Sequence, residues 1–459
     1  VCDCGRESCR YQCFMEVCAS DWYQVQICNH NLLLADAIHR NLGRRPLLPE
    51  WSTLILDEAH KLPEAARQMF GITLTAAEIR ELIRALRGER YLLASETLEE
   101  AAGPALRELD RPWDGDRSFS HFVLFLNRPH HTLALIQKQI GTMLTHGTQR
   151  QLDQLRDKVA LFLREQRDMI FYTAEDSHGG TMLCAATPNL TNQLRQTLWR
   201  QQKPMILTSG TLAVGEDFRR FKEATGLLTD SRVRESVSPS PFAYSKNCLL
   251  YVSRLPAHQE AGQYYDSLTG EISALLDAAH GHALVLFTSY AAMSAVKERL
   301  REKGLTYPLF TLGRNAVHTT KQFKSTPGGV LLATGAAWEG FDFPGDCVSL
   351  LVIPRLPFPI PDALKEKERE QYPTLHSFLR GVVVPEMQIK LKQGFGRAIR
   401  LETDTCVVAI LDERAAREQR YWKDVLAALP EMPVTQDIHR VEAFIRGVKP
   451  DSYFREGAA

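Results

Sequence analysis

Two acids and two arginines, far apart in the chain, carry the most specific chemistry in this sequence. Asp57 and Glu58 follow Leu54-Ile55-Leu56 directly and precede Ala59-His60. A short apolar run bounded by turn signals predicts a buried strand of a parallel sheet. Ligands of open α/β sheets bind beyond the carboxyl ends of the strands. Two acids at such a place suit nucleotide hydrolysis. One carboxylate holds Mg²⁺ through water, and the other orients or deprotonates the attacking water. The same pair could equally serve a helix N-terminus, where acids complement the dipole. Arg397 and Arg400 lie in Gln393-Gly394-Phe395-Gly396-Arg397-Ala398-Ile399-Arg400. Their spacing predicts one shared helix face, and Gly396 is expected to let the backbone approach closely. Two guanidiniums presented together can clamp phosphates and stabilise charge in phosphoryl transfer. A basic pair on a solvated helix face is the commoner occurrence.

Cysteine usage is the second chemical signal. Cys2, Cys4, Cys9, Cys13, Cys18 and Cys28 fall in the first 28 residues, and the remaining four of the ten are scattered. Such clustering in a long chain favours a metal site over a disulfide framework. The spacing contains no C-x₂-C pair, so an iron–sulfur cluster, a structural zinc and incidental reduced thiols all remain open. Cys18 and Cys28 look least like ligands. Val25-Gln26-Ile27-Cys28 reads as a strand, in which cysteine acts as a small hydrophobe.

The remaining strings are weaker alone. Thr208-Ser209-Gly210-Thr211-Leu212 follows the apolar run Met205-Ile206-Leu207. Hydroxyls there suit a link to a bound nucleotide, and equally an ordinary strand-to-helix turn. His30, in Asn29-His30-Asn31, reads as a structural hydrogen-bonding residue. His130, His131 and His146 lack the partner spacing of a metal site and read as solvated or capping residues. Acids and bases number 55 each, so bulk charge argues for neither nucleic acid nor membrane. No apolar run reaches the ~18 residues of a membrane span, and no secretory signal is visible. The chain opens on Val rather than Met and is read as lacking an N-terminal portion.

The elements that must position these residues follow from periodicity. Residues 71–165 are helical in texture. Ile79, Leu82, Ile83 and Leu86 recur at one helical spacing, as do Leu152, Leu155, Val159 and Phe162. Gly103-Pro104 and Arg111-Pro112-Trp113-Asp114-Gly115 are expected to be turns. Ser236 to Pro241 reads as a connector. Beyond it, apolar runs at 283–287, 330–333, 348–353 and 407–411 alternate with helical patterns such as Ala291 to Lys303. That alternation predicts a parallel sheet with helices on both faces.

Taken in order, these strings resemble a known family. DEAH at 57–60, TSGTL at 208–212, LVLFTSY at 284–290, TGAAWEGFDFPG at 334–345 and QGFGRAIR at 393–400 resemble motifs II to VI of superfamily 2 helicases. WEGFDFPG and RLPFPIP (355–361) resemble the DinG branch of the XPD-like iron–sulfur DNA helicases. The resemblance implies an α/β fold of two RecA-like P-loop NTPase domains, the first incomplete here, with an iron–sulfur segment and a helical arch insertion. The implied division is 1–28 iron–sulfur segment, 29–70 first RecA-like domain, 71–168 arch-like insertion, 169–235 return to the first domain and 236–459 second RecA-like domain. ATP would sit between the lobes. Asp57 would coordinate Mg²⁺ and Glu58 would act on the hydrolytic water. His60 and Gln393 would couple nucleotide state to the interface, and Arg397 and Arg400 would be arginine fingers. Gly340, Asp342 and Gly396, with Thr208, Ser209 and Thr211, would contact nucleotide or relay hydrolysis to movement. A [4Fe–4S] cluster would draw its ligands from Cys4 and Cys9, with Cys13 and Cys2 competing for the remaining places.

The implied activity is ATP-dependent 5′→3′ translocation on single-stranded DNA and unwinding of forked DNA, in repair or replication. The expected protein is a monomer in a bacterial-type cytoplasm at the nucleoid, with no membrane contact and a single-stranded-DNA-binding protein as candidate partner. One departure stands out. There is no GxxxxGK[ST] and no Gly-Lys dipeptide anywhere, so the loop that cradles β- and γ-phosphates is missing, and the chain alone is expected to be inactive. A non-catalytic iron–sulfur DNA-binding protein, and an ATPase that remodels protein–DNA complexes, are the alternatives.

Overall fold

A computed structural model describes residues 9–18, 20, 22–113, 118–164, 169–176, 179–187, 190–255, 261–313, 316–338 and 340–455. Cys2 and Cys4 lie outside these residues. The chain divides into two units. The first comprises Val1–Ser209, Phe221–Val233 and Pro361–Pro373; the second comprises Gly210–Arg220, Arg234–Ile360 and Thr374–Ala459.

In the first unit, β1 (Leu54–Leu56) and β5 (Met205–Leu207) form a two-stranded parallel sheet, with Leu54 opposite Met205 and Leu56 opposite Leu207. The parallel pairing is as expected, but the burial is not. Leu56 is 3% exposed, whereas Ile55 is 66% and Ile206 55% exposed. Side chains alternate across a strand, so only one face of this narrow sheet is covered. Val25-Gln26-Ile27-Cys28 is not a strand either. It is irregular and exposed, with Ile27 at 95%, because no strand among the described residues takes its backbone hydrogen bonds. The helix His30–Asn41 follows, capped by the Asn29 side chain, which accepts from Leu32 N–H at 2.9 Å. Its buried Asp36 accepts from Arg40 Nε (2.6 Å) and from the N–H groups of Leu47 and Leu48 (2.8 and 2.9 Å). That carboxylate ties the loop leading to β1 back onto the helix.

The helical texture is realised in Ala76–Gly88, Leu92–Asp110, Phe119–Ile140 and His146–Arg164. The first opens on a capping box of Thr75 and Glu78. These helices share a core with an antiparallel sheet, β2 (Ile72–Leu74), β4 (Thr181–Ala186) and β3 (Ile170–Glu175), in that spatial order. Gly103-Pro104 is not a turn. Pro104 sits inside the continuous helix Leu92–Asp110, where the buried stripe Leu98, Ala102, Ala105 and Leu109 outweighs the one hydrogen bond that proline removes. Among the described residues, no helix is long and apolar enough to cross a membrane.

The second unit is built on seven parallel strands. They are β6 (Cys248–Val252), β7 (Ala283–Leu286), β8 (Leu309–Thr311), β9 (Val330–Ala333), β10 (Leu350–Ile353), β11 (Cys406–Ile410) and β12 (Val434–Thr435), ordered β12-β6-β11-β10-β7-β9-β8. The four apolar runs of the sequence are β7, β9, β10 and β11. Both faces are covered, as expected: Cys248, Leu250 and Val252 enter one core while Leu249 and Tyr251 enter the other. The helix Tyr290–Glu302, capped by Ser289, matches the pattern read at 291–303. The helix Val384–Phe395 covers one face through Met387, Leu391 and Phe395.

The close backbone approach falls at Gly394, not at Gly396. A Cβ on Gly394 would meet the Trp338 ring at 2.8 and 2.9 Å, whereas one on Gly396 would come no nearer than 3.3 Å to Gln393 O. Trp338 is itself 1% exposed, and its Nε1–H donates to Phe287 O at 3.0 Å. Gly394→Ala is therefore expected to destabilise this unit by about 1–3 kcal/mol through overpacking. Denaturant unfolding followed by tryptophan fluorescence checks this; an unchanged midpoint would contradict it.

Candidate active site

The acids sit where the strand argument puts them, immediately beyond the carboxyl end of β1, and both are exposed. Asp57 Oδ1 accepts the Glu58 N–H at 2.9 Å, and the rest of its carboxylate faces solvent. That exposed oxygen set fits a hard cation held through water. Glu58 adopts a left-handed conformation (φ 48°, ψ 42°). Such a backbone costs a non-glycine residue about 1–3 kcal/mol and persists where its surroundings hold it. Here the next residues do so: Ala59 N–H donates to Thr208 O (3.0 Å) and Thr208 N–H donates to Leu56 O (3.0 Å).

The turn brings three side chains together. Ser209 Oγ lies 3.3 Å from Glu58 Oε2, and His60 Nδ1 lies 2.8 Å from Ser209 Oγ and 3.2 Å from Glu58 Oε2. A carboxylate only accepts, so the hydroxyl donates to it and His60 donates from Nδ1, which sets the tautomer of a neutral ring. His60 is largely buried, at 14% side-chain exposure, and Glu58 is open at 58%. The arrangement holds one carboxylate oxygen from behind and leaves the other free toward solvent, as an acid that must orient a water requires. His30, read as structural, proves to adjoin this site: its Nε2–H donates to the Asp57 carbonyl at 2.9 Å. No spacing in the sequence linked the two.

In the second unit, Arg397 and Arg400 do not share a helix face. The helix ends at Phe395 and both arginines lie in the turn and loop that follow, because Gly396 closes the last turn. Arg397 Nη1 donates to Phe341 O and its Nε to Gln393 O (3.4 Å). Arg400 Nε pairs with Asp342 Oδ1 at 2.8 Å. The structure thus joins the 393–400 string to the 334–345 string through both guanidiniums. Asp404 was not singled out, since a loop carboxylate shows no motif. It is 4% exposed and accepts from the N–H groups of Arg400, Leu401 and Gly345 at 2.8, 2.8 and 3.1 Å. Gln393 is buried and Gly340 exposed; Thr211 is buried and belongs to the second unit, whereas Thr208 and Ser209 belong to the first.

Of the cysteines, Cys9 is buried and Cys13 exposed, one helical turn apart, with Cys13 N–H donating to Cys9 O at 3.0 Å. Partial desolvation and the Asp36 charge push the Cys28 thiol above its ordinary value, which disfavours the thiolate a metal needs. Among the described residues, no group of three or more His, Cys, Asp or Glu is gathered to hold a metal ion.

A helicase C-terminal domain family model matches residues 272–432. ATP-dependent DNA helicase YoaA of Escherichia coli (strain K12) is 29% identical over 453 residues, spanning 92% of this chain and 69% of that protein. ATP-dependent helicase DinG of Mycobacterium tuberculosis (strain ATCC 25618 / H37Rv) is 29% identical over 459 residues, spanning 95% and 68%. The chain therefore covers about two thirds of the length of these relatives. In fold it is similar to S. tokodaii Xpd4, with a TM-score of 0.57 at 15% identity over 89% of this chain and 81% of that one. The ordered motifs, relatives along nearly the whole chain and the shared α/β fold lead to one conclusion: the chain is similar to the DinG/XPD-like superfamily 2 helicases.

Proposed function

We propose that the protein is an ATP-dependent DNA helicase that moves 5′→3′ along single-stranded DNA, and that Asp57, Glu58, His60 and Ser209 form its hydrolytic centre. The observation that carries this reading is the Glu58–Ser209–His60 cluster at the carboxyl end of β1. Glu58 orients and deprotonates the attacking water. Ser209, in TSGTL, reports the state of that carboxylate to the segment that follows it. Asp57 would hold Mg²⁺ through water, and the ion would supply neutralisation of phosphate charge. Arg397 and Arg400 stabilise charge on the transferred phosphoryl group after exchanging their Phe341 and Asp342 partners for it. Gly340, Asp342 and Gly396 shape that exchange, and Gln393 couples it to the helix 384–395. The sequence 71–168 acts as an arch-like insertion, inside a first RecA-like domain formed by 29–70 and 169–235. Cys4 and Cys9 would be two ligands of an iron–sulfur cluster, with Cys13 and Cys2 competing for the remaining places.

Because the 459 residues contain no phosphate-binding GxxxxGK[ST] loop, turnover is expected of the full-length protein and not of this chain alone. One anaerobic preparation of the full-length protein tests the reading. It should be brown, with the broad visible absorbance of thiolate-bound iron, and should unwind a duplex bearing a 5′ single-stranded tail but not one bearing a 3′ tail. Colourless, zinc-loaded protein would remove the cluster. ATP hydrolysis without strand separation would instead favour an enzyme that remodels protein–DNA complexes.

A further inference from the structure

The string Arg355-Leu356-Pro357-Phe358 takes no part in the hydrolytic centre, yet it is elaborately held. It follows β10, whose neighbours on one side are β11 and then β6. Each of these three parallel strands is followed within four residues by an arginine: Arg254 after β6, Arg414 after β11 and Arg355 after β10. Adjacent strands are about 4.8 Å apart, so three guanidiniums line the carboxyl end of the sheet, where ligands of parallel sheets bind. A cavity of about 190 Å³ opens there, lined by Tyr264, Arg355, Asp412, Glu413 and Arg414 among others.

One of the three arginines is neutralised, and another does not line the cavity. Arg254 Nε donates to Gln436 Oε1 at 2.7 Å. Arg414 grips Asp412 through Nε and Nη2 (2.9 and 2.7 Å) and lies over the Phe358 ring at 5.0 Å. Burial pushes the Asp412 carboxyl up, but Arg414 and the Leu356 N–H, at 3.0 Å, outweigh it and hold it below its usual range. Asp412 therefore stays charged and cancels Arg414. Arg355 differs. Its Nε donates to Tyr264 Oη at 3.1 Å, and its guanidinium lies 4.6 Å from the centre of the same ring. Burial raises the Tyr264 phenol despite that contact, so the phenol stays neutral and leaves the arginine's charge uncompensated. The two terminal nitrogens of Arg355 have no hydrogen-bond or ion-pair partner among the described residues, and the residue is exposed. Glu413 lines the cavity without pairing to it. A planar fork held by stacking and one hydrogen bond, with both outer N–H pairs open, is prepared for a bidentate oxyanion.

The cavity's size selects the ligand. A whole nucleotide needs at least the ~300 Å³ typical of small-molecule sites, whereas one phosphate group fits. Glu413 further disfavours a multiply charged nucleotide tail relative to the single charge of a phosphodiester. Resting on the helicase reading above, we propose that Arg355, fixed by Tyr264, receives a backbone phosphate of single-stranded DNA at the carboxyl end of this sheet.

The test uses the full-length protein and a fluorescein-labelled oligo(dT), with affinity read by anisotropy across a salt series. Arg355→Gln should weaken binding about tenfold and make the slope of log K against log salt shallower by about 0.7, the loss of one phosphate contact on a single strand. Tyr264→Phe, which keeps the ring but removes the acceptor, should shift both quantities in the same direction by less. Nucleotide binding without DNA should be unchanged in both. If Arg355→Gln lowers the melting temperature, Tyr264→Phe carries the test. Unaltered affinity and slope in both variants, or a defect confined to nucleotide binding without DNA, would overturn the proposal while leaving the helicase reading intact. Failure of the wild-type protein to bind the oligonucleotide would remove both.

Discussion

Glu58→Gln is expected to abolish DNA-stimulated ATP hydrolysis in the full-length protein, lowering kcat by about 10²–10⁴-fold, the usual contribution of a general base. Binding of single-stranded DNA should persist. The substitution is nearly isosteric, and the amide oxygen can still accept from Ser209, which lies 3.3 Å from the native carboxylate. The left-handed turn depends on backbone contacts with Thr208 and Leu56, so it should be preserved. What the amide cannot do is take a proton from water. A purely structural Glu58 would therefore leave the variant near wild-type turnover, and that result would remove it from the catalytic role. Circular dichroism and DNA affinity, measured on the same preparation, separate a chemical defect from a folding one.

Arg397→Gln and Arg400→Gln are each expected to lower kcat by about 10³-fold, the lower end of the range for arginine fingers. Nucleotide affinity should fall much less. Both arginines also hold the 334–345 loop, Arg397 through Phe341 O and Arg400 through Asp342 at 2.8 Å. Asp342→Asn distinguishes the two roles, because it weakens the Arg400 pair while leaving the guanidinium free. If Arg400 acts on the phosphoryl group, Asp342→Asn should retain most of the turnover that Arg400→Gln loses. Equal losses in the two variants would assign Arg400 to loop positioning alone. The pair is half-exposed, with Asp342 at 64%, so its direct contribution to stability is small and unfolding should not confuse the comparison.

The readings that held are those with a periodic or strongly apolar basis. Four continuous apolar runs became β7, β9, β10 and β11, since a strand covered on both faces must be apolar throughout. The stripe Ile79, Leu82, Ile83 and Leu86 became the buried side of a helix. The short strands β8 and β12, with three and two residues, leave little pattern to read. The misreadings share a cause. Gly103-Pro104, Val25–Cys28 and the supposed helix face of Arg397 and Arg400 were judged from local propensity, and neighbouring elements decided each one differently. A buried stripe carried the helix through Pro104, the absence of a pairing strand among the described residues left Ile27 in water, and the turn at Gly396 separated the arginines from their helix.

By itself, the sequence determined the chemistry available: the acid pair after an apolar run, the hydroxyls at 208–211, the arginines at 397 and 400, the cysteine cluster and the absence of a phosphate loop. Residue type and order along the chain suffice for that. Only the tertiary structure decided which of these groups meet. Ser209 is brought to Glu58 and His60 across about 150 residues because β1 and β5 pair in parallel register. His30 reaches the Asp57 carbonyl because its helix packs beside that strand's end, and Arg355 is singled out from its neighbours because Tyr264 holds it while Asp412 neutralises Arg414. Contacts of this kind arise from sheet register and packing between segments remote in sequence, which no local pattern encodes.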